Sequence, residues 1–196
     1  MGRLSILTGS LTTLHLPSSA LRMKAEPVPH DVAPDLLRTL ITEMFAAMYH
    51  VNGRGLAGPQ VGVLWRLFVL DMQQSAGVPP LVLINPELLD RDDVVVHGRE
   101  GCLSIPGYMS RKVPRAATIK MAGLNQHGER VVHEVDGDVA RAMQHEYDHL
   151  DGVLYIDRLR STDDLEPYLD AWLTKAETVV EQVFDAPPVQ HEPAAG

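Results

Sequence analysis

Apolar side chains recur at helical spacing over 36–51, where Leu36, Leu37, Leu40, Ile41, Met44, Phe45 and Met48 share one stripe. The run His50-Val51-Asn52-Gly53 closes that helix. Short β-branched or apolar runs follow at 67–70, 81–84 and 94–96, each bounded by Gly, Pro, Asp or Asn, and they predict strands. Two further strands are expected over 117–122 and 130–135, paired through the hairpin-like link Asn125-Gln126-His127-Gly128. A second helix is predicted over 138–150, with Gly152 on its C-cap side. A third stripe of Tyr168, Leu169, Trp172, Leu173, Ala176, Val180 and Val183 predicts a C-terminal helix over 167–183. Residues 186–196 hold too few hydrophobic groups to offset their ordering entropy and are expected to form a loose tail. No repeat or interior linker is visible. The pattern predicts an α+β domain over 1–185, with short, mostly antiparallel strands packed around a central helix.

Composition narrows the function classes. Of 196 residues, 45% are hydrophobic and 22% charged, which is globular usage. The 17 Lys and Arg against 26 Asp and Glu leave a net charge of −9, and no basic cluster offsets it, so a polyphosphate partner such as DNA is disfavoured. No apolar run reaches the ~20 residues of a membrane span. One cysteine, Cys102, rules out an intramolecular disulfide and suits a reducing compartment. The first 25 residues hold Arg3, Arg22 and Lys24 and no acid, a weak transit-peptide pattern; a short lead into the domain is the plainer expectation.

The chemistry concentrates in three segments. In Gln144-His145-Glu146-Tyr147-Asp148-His149, two histidines four apart on a helix stand on one face. They can converge on one ion while Glu146 reaches a water beside it. A catalytic site of this type needs three protein ligands and an open position. Cys102, in Glu100-Gly101-Cys102-Leu103-Ser104, is the third candidate, although a lone cysteine is otherwise a small buried hydrophobe. Glu100 reads as local architecture, not as a second base. The glycine-dense Gly53-Arg54-Gly55-Leu56-Ala57-Gly58-Pro59-Gln60 lacks the Lys and Ser or Thr of a phosphate loop; a loop of this kind ending in an amide suits a carbonyl substrate.

Gly55-Leu56-Ala57-Gly58-Pro59-Gln60, Glu100-Gly101-Cys102-Leu103-Ser104 and the His-Glu-x-x-His segment together resemble the three signature motifs of peptide deformylase, in the family's order and spacing. Flanking pieces such as Ile84-Asn85-Pro86, Val113-Pro114-Arg115 and Asp151-Gly152-Val153-Leu154-Tyr155 also match, and the resemblance covers about residues 10–160. The family usually has alanine where Gly58 stands and a branched aliphatic where Arg54 stands, and 107–112 is about one residue longer than expected.

The resemblance implies removal of the formyl group from the N-terminal methionine of new polypeptides, with release of formate. It implies one divalent ion on Cys102, His145 and His149, Fe²⁺ by family preference with Zn²⁺, Ni²⁺ or Co²⁺ tolerated. Glu146 would be the general base and acid, Gln60 and the Leu103 N–H the oxyanion donors, and the Gly55 and Gly101 backbones the hold on the substrate main chain. The turn before His145, bearing Asp138, Arg141 and Ala142, would wall the methionine pocket. Expected partners are formyl-methionyl peptides and nascent chains, with transient ribosome contact, no DNA and no membrane, for a cytoplasmic monomer. Arg54, Arg111 and Lys112 are expected to border the groove and favour acidic residues at the second or third substrate position. The alternatives are a zinc endopeptidase, whose third ligand would lie downstream at His191, Asp157, Glu166 or Glu177, and a non-catalytic peptide-binding relative.

Overall fold

The structure is a computed structural model and describes residues 11–72 and 79–168. Helix α1 spans Pro34–His50, opening on a proline whose missing N–H costs nothing in the first turn and ending before Asn52, which takes a left-handed φ of 52°. Strands β1 (Gly55–Ala57), β2 (Leu67–Leu70), β3 (Leu81–Arg91), β6 (Thr118–Leu124) and β7 (Arg130–Asp136) form an antiparallel sheet in the order β1-β2-β3-β6-β7. Strands β4 (Val95–Cys102), β5 (Ile105–Ala116) and β8 (Glu166–Pro167) form a second, in the order β4-β5-β8. Helix α2 spans Gly137–Leu150.

Period-two alternation divides the five-stranded sheet into two buried faces. Leu56, Leu67, Val69, Val82 and Ile84 pack against Leu40, Ile41, Met44 and Met48 of α1. Their sequence neighbours Ala57, Phe68, Leu70, Leu81 and Leu83 pack against Val139, Ala140, Met143 and Leu150 of α2. Both faces are covered, which is why β2 and the start of β3 read as unbroken apolar runs and not as alternation. A third cluster of Leu16, Leu21, Ile105, Val113, Leu154 and Tyr155 closes the far side. The arrangement is α+β, with antiparallel strands around a central α2, as expected.

Four elements depart from the sequence expectation. The strand predicted over 81–84 continues to Arg91 through a bulge, because Asn85 adopts a φ of 50° and its side chain bridges the N–H and C=O of Val28. The strand at 94–96 runs on to Cys102, so Glu100 and Cys102 lie in it and not after it. Strand β5 was not expected at all; it runs through Pro106, Gly107 and Pro114, and among the described residues β8 pairs only with its Tyr108 and Met109. The C-terminal helix expected over 167–183 does not include Pro167, which is extended in β8; its part from 169 onward, the tail and the first ten residues lie outside the described residues. No helix among the described residues is long and apolar enough to cross a membrane.

Candidate active site

Helix α2 projects His145 and His149 from one face, with ring centroids 5.0 Å apart. Its C-terminal end is held by Gly152, whose φ of 70° and contact with the Arg22 carbonyl exclude a Cβ, since one would sit 2.5 Å from that oxygen. Across from this face, β4 and β5 meet in the tight turn Leu103-Ser104, which delivers Cys102. One ligand atom each from Cys102, His145 and His149 lies within 4.8 Å of the others, and His149 Nε2 is 3.3 Å from Cys102 Sγ. Among the described residues this is the group with metal-site geometry.

The surroundings orient these donors. Glu100 Oε2 accepts from His145 Nδ1 at 2.8 Å, which leaves Nε2 to face the sulfur and His149. Both carboxylate oxygens of Glu100 also accept from Arg115, at 2.8 Å each, and Arg141 Nη1 adds a further bond at 2.9 Å. Burial alone would raise the Glu100 pKa, but hydrogen bonds from Arg115 and His145 hold it well below the carboxylate range. Burial keeps His149 well below its ordinary pKa, hence neutral. His145 would also be lowered by burial, yet Cys102 and Glu100 hold it well above. Two imidazoles and a thiolate, one imidazole fixed by a carboxylate, fit a divalent transition ion with one open position.

Glu146 is 4% exposed, its Oε2 has no protein partner, and burial pushes its pKa up to about 7. Gly55 lies directly against it: a Cβ there would sit 2.2 Å from Glu146 Oε1. Gln60, in a short 3₁₀ turn after β1, accepts from the Ala57 N–H through Oε1 at 2.8 Å. That bond fixes the amide, so Nε2 points to Ser104 Oγ at 3.3 Å and Cys102 Sγ at 3.6 Å. Leu103 lies in the β4–β5 turn and Gly101 pairs with Met109 beside it. Cys102, His145, His149 and Gln60 therefore meet around one point, and Gly55 lies against Glu146 beside them.

The profile of the family described as Polypeptide deformylase matches residues 11–164. The chain belongs to the polypeptide deformylase family. It is 46% identical over 137 residues to "Peptide deformylase 1" of Clostridium perfringens (strain 13 / Type A), covering 70% of this chain and 89% of that protein. It is 40% identical over 164 residues to "Peptide deformylase" of Prochlorococcus marinus subsp. pastoris, covering 83% and 80%. Among solved structures, a peptide deformylase from Synechococcus elongatus in complex with actinonin superposes with a TM-score of 0.73 at 36% identity, over 81% of this chain and 85% of that one. The Thermotoga maritima peptide deformylase gives 0.71 at 38% identity, over 78% and 99%. Polypeptide deformylases are metal-dependent hydrolases that remove the formyl group from newly made polypeptides, and this chain is a metallo-hydrolase of that class.

Seen as a deformylase, the chain's departures acquire reasons. At Gly58 a Cβ would lie 2.6 Å and 2.7 Å from the carbonyl oxygens of Val63 and Trp65, so the backbone here has closed over the space an alanine needs. The four endopeptidase ligand candidates fare differently: Asp157 pairs with Arg22 and caps the Leu154 N–H, Glu166 pairs with Arg111, and His191 and Glu177 lie outside the described residues. The groove expectation loses two cations, since Arg111 is held by Glu166 and Lys112 by Asp164. Arg141 is likewise not a free pocket wall; its guanidinium binds Glu100 and the carbonyls of Val96 and Val113.

Sequence reasoning missed the support of the candidate ligands. Arg115, 3% exposed, bridges Glu100 to Asp148, and Arg158 clamps both oxygens of Asp148 from outside. Tyr155 stacks on the His145 ring at 6.2 Å and 22°. A usable signal existed: Asp148 lies next to His149 in a helix face that buries four polar residues, and such charges demand partners.

Proposed function

We propose that Cys102, His145 and His149 hold one divalent ion, Fe²⁺ by family preference, and that Glu146, Gln60 and Leu103 carry out the deformylation around it. The observation that carries the reading is the buried, unpartnered Glu146 carboxylate standing one residue from a ligand and against the edge strand β1. Bound there, the ion supplies electrophilic charge and a water of lowered pKa. Glu146 accepts the proton of the attacking water and passes it to the amine nitrogen as the carbon–nitrogen bond breaks, so that formate and a free N-terminal amine leave. An unpaired carboxylate with a pKa near 7 suits both transfers; a cation beside it favours the charged form, which takes the first proton. Gln60 Nε2, pre-aimed by the Ala57 bond, and the Leu103 N–H donate to the oxygen on which charge develops. The Gly55 and Gly101 backbones hold the substrate main chain along the edge of β1.

We infer that the chain works as a monomer on formyl-methionyl nascent chains, meeting the ribosome transiently in the cytoplasm, and that it forms a single catalytic unit; the match over 11–164 supports the last point. Formate release from formyl-Met-Ala-Ser tests the reading. The wild type is expected to turn over, and Glu146→Gln to bind one ion per chain while losing about 10²–10⁴-fold in kcat. A Glu146→Gln enzyme with near-normal turnover would remove Glu146 from the proton route, and a Cys102→Ser protein with unchanged metal affinity would overturn the ligand set.

A further inference from the structure

Arg54 stands immediately before β1, exposed and with no salt bridge among the described residues. Resting on the reading above, in which the substrate lies along the edge of β1, we propose that Arg54 reads the second residue of the formylated chain and favours an acidic side chain there. The argument is one of faces. Gly55 and Ala57 belong to the α2 side of the sheet: Gly55 abuts Glu146, and Ala57 packs with Met143. Leu56 belongs to the α1 side, and Arg54 shares its parity. The continued register places Arg54 opposite Asp71, whose carboxylate is held by the Tyr49 hydroxyl of α1 at 2.6 Å, which confirms the α1 side for this position.

A substrate strand paired on the free edge of β1 has each side chain on the same face as its neighbour. The methionine beside Gly55 therefore turns toward α2 and the metal ligands, where the glycine leaves room. The formyl end lies toward Ala57 and Gln60, whose amide points at Cys102, so the chain continues in the opposite direction, toward Arg54. The second residue then lands beside Arg54 on the α1 face, and the third returns to the other side. The cation is solvent-exposed, and Asp71 lies one strand further in on the same face, so the preference is modest and screened by salt.

The test compares kcat/KM for formate release from formyl-Met-Glu-Ala and formyl-Met-Lys-Ala, with formyl-Met-Ala-Glu and formyl-Met-Ala-Lys as third-position controls. In the wild type the Glu/Lys ratio at the second position should be about 2- to 10-fold, residing in KM, and near one at the third. It should collapse toward one in about 0.5 M salt and in Arg54→Ile, and invert in Arg54→Glu, a reversal that a structural role could not produce. Equal ratios with normal formate release, or a charge effect confined to the third position, overturn the inference and leave the deformylase reading standing. Absence of formate from every peptide overturns that reading itself.

Discussion

Adding one methyl group at Gly55 tests the geometry of the proton route without touching a charged residue. An alanine Cβ there would meet Glu146 Oε1 at 2.2 Å, Cδ at 2.7 Å and Cγ at 2.9 Å. Ordinary contact begins near 3.4 Å, so the whole carboxylate end must retreat by roughly 1 Å. Rotation of the terminal oxygens alone does not solve the clash, because the Cδ and Cγ contacts persist. Neither does movement of the strand, since Gly55 pairs with Leu70 in β2 and its neighbour Leu56 is fully buried. A displacement of that size in a reacting group typically costs ~10²-fold. The overpacking should cost about 1–3 kcal/mol of stability. Gly55→Ala is therefore expected to fold, bind one ion per chain and lose about 10²-fold in kcat/KM. The double variant with Glu146→Ala adds a sharper criterion: with the carboxylate gone the new methyl has nothing to displace, so its further cost should be small. Metal analysis, thermal unfolding and formate release measure all three quantities. A folded, metal-loaded Gly55→Ala enzyme within about threefold of wild type would refute the claim that this glycine exists to make room for Glu146.

Two residues of the buried ion-pair chain, Glu100 and Arg115, carry the further outcomes. Glu100→Gln keeps the volume but weakens the hold on His145 Nδ1, and metal titration should show about 10- to 100-fold lower affinity. The same variant should have a flatter acid limb: a carboxylate whose native pKa is depressed stabilises the fold above its unfolded value of about 4.3, and that contribution is lost as pH falls from there through the native pKa. Arg115→Ala strips a shared partner from Glu100 and Asp148, both buried, and should cost about 3 kcal/mol in urea unfolding; a cost below about 1 kcal/mol would mean that Arg141 and Arg158 suffice. Arg115→Lys is not expected to rescue it, because one ammonium cannot supply the fork that Arg115 offers to both oxygens of Glu100 while also reaching Asp148.

The parts of this fold that could be read from the sequence are those whose physics is local. Helix α1 announced itself through seven apolar positions on one stripe and a stop at Asn52, and α2 through its cap glycine and paired histidines. The candidate ligands were visible because a cysteine and two histidines in that pattern are chemically unusual. Strand β5 was not visible, because its prolines violate a rule that holds for central strands. Among the described residues β8 pairs only with Tyr108 and Met109, so the prolines lie outside that pairing, which only the assembled sheet shows. Asn85 and Pro86 signalled the end of β3 for a similar reason, since nothing nearby in sequence shows that Val28 will satisfy the asparagine side chain and carry the strand past its bulge.

The site's support was hidden for a different reason. Glu100, Arg115, Asp148 and Arg158 come from β4, β5, α2 and the turn after it, and no spacing rule relates them. Each alone is an ordinary charged residue. Their meaning arises from a constraint applied after folding: once α2 is buried on both sides, its charged positions need partners of opposite sign, and Arg115 is the group long enough to serve Glu100 and Asp148 at once. The consequence reaches the chemistry. Glu100 faces His145, and Asp148 adjoins His149, so one guanidinium ties together the segments that carry all three candidate metal ligands, Cys102 lying two residues from Glu100. A site assembled from a hairpin and a helix that are distant in sequence thereby acquires a fixed separation between its parts, which is what a catalytic ion with an open position requires of the protein around it.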